Sequence, residues 1–147
     1  MSFLNLLWIY IINEKWKQYK LSKTNKEQRR EVMYKKLMTC LESVQKKIDF
    51  KPEVALILGS GLGDFADGIK IEQTIDYTDI EGFPVSTVKG HKGRFVFGYV
   101  EETPVVIMQG RVHYYEGYDM TDVVLPTRLM GMMGAKKILL TRYPPCF

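Results

Sequence analysis

From Met33 the apolar positions Leu37, Leu41, Val44 and Ile48 recur at steps of three and four, the spacing that lines one face of a helix. Pro52 closes that pattern, and the run VALIL at residues 54–58 follows as a short, continuous apolar stretch of the kind found in strands buried on both faces. The glycine-rich GSGLG at 59–63 comes directly after it. Two further runs, RFVFGYV at 94–100 and PVVIMQ at 104–109, flank the polar EET at 101–103 and predict a hairpin. Met120, Val123, Val124, Thr127, Met130 and Met133 then predict a helix over 119–133, kinked by Pro126 and closed by Gly134. KILLT at 137–141 predicts another buried strand. Strands alternating with helices argue for an α/β domain with a mixed central sheet flanked by helices.

The residues ahead of this pattern have a different character. Residues 1–12 are almost entirely apolar, but as a helix they would span only about 18 Å, against about 30 Å for a bilayer's hydrocarbon core. A secretory signal would place its positive charge before the apolar stretch, whereas Lys15, Lys17 and Lys20 follow it. Between Lys15 and Lys36 lie nine Lys or Arg against two Glu, and the rest of the chain is slightly acidic despite the net charge of +4. Such a run is most simply a solvated stretch, and neither nucleic acid nor a membrane is expected as a partner. Residues 1–32 are therefore expected to be an extension outside the domain, with translation of the intact gene starting at Met33. Cys40 and Cys146 offer neither metal-ligand spacing nor a disulfide framework, which suits a reducing cytoplasm. Apolar residues at 46% and charged residues at 26% exclude wholesale disorder over 147 residues.

Three constellations carry chemistry. The glycines of GSGLG allow an anion to approach backbone N–H groups, and Ser60 adds a hydroxyl donor. The stretch fits neither the dinucleotide fingerprint nor the phosphate loop ending in Lys and Ser or Thr. A second constellation, GRVHYYEGY at 110–118, follows directly on the strand that ends at Gln109. Arg111 can grip an anion in a fork, and His113 would point the same way if the strand extends. The third, GHKGR at 90–94 after FPVST at 83–87, reads as a glycine-flanked loop able to close over a ligand. A nucleotide-binding module is the rival reading, but its ribose-binding carboxylate would have to be Asp76 or Asp79, both too early in the chain and outside a clear second strand end.

Taken in order and at these separations, VALILGSGLG, FPVST with GHKGR, and QGRVHYYEGY resemble the successive signatures of the trimeric purine nucleoside phosphorylases over about residues 33–141. The related methylthioadenosine phosphorylases fit less well at the third stretch. The resemblance implies cleavage of a purine nucleoside by inorganic phosphate to free base and ribose 1-phosphate, in a cytoplasmic homotrimer without metal or cofactor. It also implies that Ser60, His91, Arg111, Val112 and His113 bind phosphate, that Tyr115 contacts the nucleoside, and that Glu116 supports the phosphate end. One departure stands out, because the family's Asn-Ala-Ala-Gly-Gly turn is replaced after Thr141 by RYPPCF at 142–147. The purine-recognising residues expected later are missing too, so the chain is expected to be truncated, aggregation-prone and inactive by itself, a phosphate- or nucleotide-binding fragment being the alternative.

Overall fold

A computed structural model describes residues 3–59, 61–85 and 92–141, and the chain divides into two compact units, Met1–Lys35 and Lys36–Phe147. The first unit is helical, and from Glu14 its described side chains are almost all exposed. It is held locally, by an ion pair of 3.0 Å between Lys35 and Glu31 and by the Thr24 hydroxyl donating to the Lys20 carbonyl at 3.0 Å. Exposed pairs of this kind contribute little.

Helix α1 is assigned over Phe3–Gln45, so helical structure starts well before the expected Met33. Basic and long polar side chains such as Lys, Gln and Glu are good helix formers without any apolar face, which is why periodicity did not reveal this stretch. At the other end α1 stops at Gln45 rather than running on to Pro52. Ile48 nevertheless donates its backbone N–H to Val44 at 3.0 Å and packs against the core.

The second unit is built on a five-stranded sheet: β1 (Val54–Ile57), β2 (Lys70–Asp76), β3 (Arg94–Val100), β4 (Thr103–Gln109) and β5 (Lys137–Leu140). Their order is β2-β3-β4-β1-β5, with β1 parallel to β4 and β5 and the β2-β3-β4 meander antiparallel. This is the expected mixed sheet. The hairpin is tighter than expected, since Val100 pairs with Thr103 across only Glu101 and Glu102.

Side-chain alternation sends the residues of β1, β3 and β4 to two cores. Ala55, Ile57, Phe95, Phe97, Val106 and Met108 face one side, where Leu37, Cys40, Leu41 and Val44 of α1 pack with Leu125, Leu129, Met130 and Met133 of α2 (Met120–Met133). Leu56, Leu58, Val96, Val105 and Ile107 face the other, covered in part by Ala66 of a short 3-10 helix, Gly63–Asp67. Burial on both faces is what the unbroken apolar runs required. Asp119 caps α2 by accepting from the Thr121 backbone N–H at 3.1 Å, and Lys36 of α1 reaches Asp122 at 2.6 Å.

Two findings depart from the sequence pattern. Strand β2 was not expected, because KIEQTID buries only Ile75 and Asp76 thus ends a strand after all. At the opposite sheet edge, Ile138, Leu139 and Leu140 of β5 are about half exposed rather than buried.

Candidate functional site

The carboxyl ends of parallel β1 and β4 lie side by side, the position at which open α/β sheets form ligand crevices. Beyond them is a cleft of about 170 Å³. One wall is the turn after β1, with Gly59, Gly61 and Gly63; the other is the chain after β4, with Gly110, Arg111 and His113. Lys92 borders it as well, together with one carboxylate residue, Asp64.

Gly59 is fixed by close approach. A Cβ there would come within 2.9 Å of the Thr141 carbonyl oxygen, so only glycine lets β5 close onto the turn. Its backbone N–H donates to the Thr141 hydroxyl at 2.8 Å, and that hydroxyl donates to the Ile57 carbonyl at 3.2 Å. Across the cleft Gly110 adopts φ 105°, a left-handed conformation that ends β4 and turns the chain toward Arg111. The buried Tyr77 phenol donates to the Gly110 carbonyl at 2.8 Å and holds this bend in place.

Strand geometry was therefore not what joins Arg111 and His113. β4 stops at Gln109, and the two residues reach the same cleft through a bend and a short 3-10 helix, Tyr114–Glu116. His113 caps that helix, its backbone N–H donating to Glu116 Oε1 at 2.8 Å while the Glu116 N–H donates to the His113 carbonyl at 3.1 Å. Glu116 thus acts on the backbone of a cleft residue. Among the described residues Arg111 makes no hydrogen bond or ion pair, so it borders the cleft as a cation without an acidic partner.

The other expected site residues are placed as follows. Val112 is buried and is not among the residues that border the cleft. Tyr115 is exposed and stacks on the His113 imidazole, with centroids 4.8 Å apart and planes 13° from parallel. It opens toward a second, shallow depression shared with Tyr114, Tyr118 and Met120. Ser60 and His91 lie outside the described residues.

Four further residues shape the cleft without having been singled out from the sequence: Tyr77, Lys92, Gln109 and Thr141. Lys92 was visible within GHKGR, flanked by glycines. Gln109 carried the clearer signal, a polar residue ending an apolar strand run. Lys92 and Arg94 converge on Asp67, at 2.6 and 3.1 Å, and the hydrogen bond from Lys92 holds the Asp67 carboxyl below its ordinary range. Among the described residues no cluster of three or more His, Cys, Asp or Glu is arranged to hold a metal ion.

The family model of the phosphorylase superfamily matches residues 53–141, which contain both walls of the cleft. Purine nucleoside phosphorylase 1 of Geobacillus stearothermophilus is 48% identical over 98 residues, covering 67% of this chain and 36% of that protein. The crystal structure of the purine nucleoside phosphorylase from Schistosoma mansoni in complex with acetate superposes with a TM-score of 0.67 at 42% identity, over 72% of this chain and 39% of that one. Isoform 2 from the same organism, in complex with cytosine and ribose-1-phosphate, gives a TM-score of 0.67 at 36% identity, over 73% of this chain and 38% of the other. The chain therefore spans little more than a third of the length of these relatives.

Proposed function

The chain belongs to the phosphorylase superfamily, and on that premise we propose that it forms the phosphate-binding part of a purine nucleoside phosphorylase. The reaction transfers the ribosyl group of a purine nucleoside to inorganic phosphate. A phosphate oxygen bonds to C1′ as the glycosidic C–N bond breaks, the bonding pair leaves with the purine nitrogen, and that nitrogen takes a proton. The products are the free base and ribose 1-phosphate, and no metal or cofactor is called for.

The observation that carries this reading is the placement of Arg111, a cation without an acidic partner among the described residues, at a cleft faced by the glycine turn after β1. A guanidinium fork and backbone N–H groups suit a phosphate dianion, and fixing that dianion beneath C1′ stabilises the developing ribosyl cation. The imidazole of His113 supplies a further N–H, and Ser60 and His91 complete the set of phosphate ligands in this proposal. Tyr115, stacked on His113, is the contact for the ribose. The ribose-1-phosphate bound by the Schistosoma isoform supports the same substrate pair. A cytoplasmic homotrimer belongs to this reading, and the exposed Tyr114, Tyr115 and Met120 provide apolar surface of the kind a subunit contact covers.

The test is phosphorolysis in a chain joined to the remaining segment of a related enzyme. Release of hypoxanthine from inosine that rises with phosphate concentration supports the proposal. Release that ignores phosphate, or none from a folded protein, contradicts it.

A further inference from the structure

We propose that Gln109 is the positioning residue that assembles the anion cleft, a role that rests on the phosphate-binding reading given above. Gln109 is the last residue of β4 and, at 3% exposure, the one amide or charged side chain buried among the described residues. Its Nε2 donates to the Gly63 carbonyl at 2.6 Å, and its Oε1 accepts from Arg94 Nε at 2.8 Å. A carbonyl can only accept and a guanidinium N–H can only donate, so these partners fix the amide in a single orientation. Arg94 passes the connection on to Asp67 at 3.1 Å, and the same carboxylate accepts from Lys92 Nζ at 2.6 Å.

One side chain thus ties three separate segments together. The turn after β1 is held through Gly63, the start of β3 through Arg94, and Lys92 through Asp67. Gly63, Lys92 and Gln109 all border the cleft that Arg111 lines. An anion site made of groups from distant segments binds well only if those segments are set before the ligand arrives, because ordering them on binding subtracts from affinity. A buried amide with both ends engaged meets that need, whereas an apolar residue of equal size would fill the space without fixing any spacing.

The test uses the full chain with inorganic phosphate as the probe, comparing Gln109→Met, which keeps length and burial but forms neither hydrogen bond, with Arg94→Met. Affinity is read by calorimetric titration, and local order by hydrogen exchange at the Phe65 amide, bonded to the Leu62 carbonyl at 3.1 Å, and the Tyr77 amide, bonded to the Gly93 carbonyl at 2.8 Å, against those of β1 and β4. Loss of two hydrogen bonds of ordinary net strength predicts a phosphate Kd raised about tenfold in Gln109→Met. Exchange at Phe65 and Tyr77 should quicken while the strand amides keep their protection. Arg94→Met, which cuts the relay beyond an intact Gln109–Gly63 bond, should quicken Tyr77 alone and raise Kd less. A Gln109 that merely supports the fold would lower the unfolding midpoint and leave Kd and relative exchange unchanged, which overturns the proposal. If Gln109→Met does not fold, Arg94→Met decides, and unchanged Tyr77 exchange there overturns it. Absence of phosphate binding in the unaltered chain contradicts the cleft assignment, and the exchange rates still judge Gln109 separately.

Discussion

The Thr141 hydroxyl accepts a hydrogen bond from the Gly59 backbone N–H at 2.8 Å, joining the end of β5 to the turn that follows β1. Two strands that pair side by side are thereby locked at the point where the chain enters the cleft. Thr141→Val keeps the shape and removes the hydroxyl, leaving a partly buried N–H without its acceptor, which should cost about 1–3 kcal/mol. Thr141→Ser retains the oxygen and should lose well under half of that. Urea unfolding at unchanged slope measures both, and equal midpoints for the two variants would show that the hydroxyl contributes nothing.

Tyr77 ties pH to the same site. Its phenol is buried and donates to the Gly110 carbonyl, and burial pushes its ionisation far above the ordinary value of about 10. A folded-state pKa above the unfolded one means that the stabilisation is fully present below about pH 10 and is lost as pH rises beyond it. Stability should therefore fall above about pH 10 with up to one extra proton's slope, roughly 1.4 kcal/mol per pH unit. Tyr77→Phe should remove that component of the slope while lowering stability at neutral pH. Identical alkaline slopes in the two proteins would sink the assignment.

Cys40 offers a measure of how firmly α1 sits on the sheet. It has no exposed surface, its thiol donates to the Glu81 carbonyl at 3.3 Å, and burial raises its pKa. Thiolate is the reactive form, so a buried, protonated thiol should be inert. In a Cys146→Ser background, labelling of the native chain at pH 8 should proceed no faster than unfolding exposes the thiol. Labelling within seconds in the absence of denaturant would mean that the helix is not packed as described.

The parts of this fold that could be read from the sequence are those whose pattern has a single physical cause. The 54–58 run is apolar throughout because β1 is covered on both faces, and the face from Leu37 to Val44 recurs at helical spacing because it meets the sheet. β2 escaped notice because it pairs at an edge and buries only Ile75. The early part of α1 escaped for the opposite reason, since helix propensity without an apolar stripe leaves no periodic signal. At the site, Arg111 and His113 border one cleft, but the strand geometry expected to unite them is absent. A positive φ at Gly110 and the capping of His113 by Glu116 do so instead. Tyr77 and Thr141 became visible only through their partners, each more than thirty residues away.

The central claim is that the cleft beside Arg111 binds an inorganic anion, and phosphate titration of the chain with Arg111→Gln as its counterpart tests it most directly. Glutamine keeps polarity and much of the reach but removes the charge and the fork. Hydrogen bonds to a charged group contribute about 1.5–3 kcal/mol, so the substitution should weaken phosphate binding roughly tenfold to a hundredfold, with chloride at equal ionic strength giving no saturable response in either protein. Saturable phosphate binding in the unaltered chain that collapses in Arg111→Gln is the result this account predicts. Binding of equal strength in both proteins, or none in a folded, unaltered chain, would contradict it.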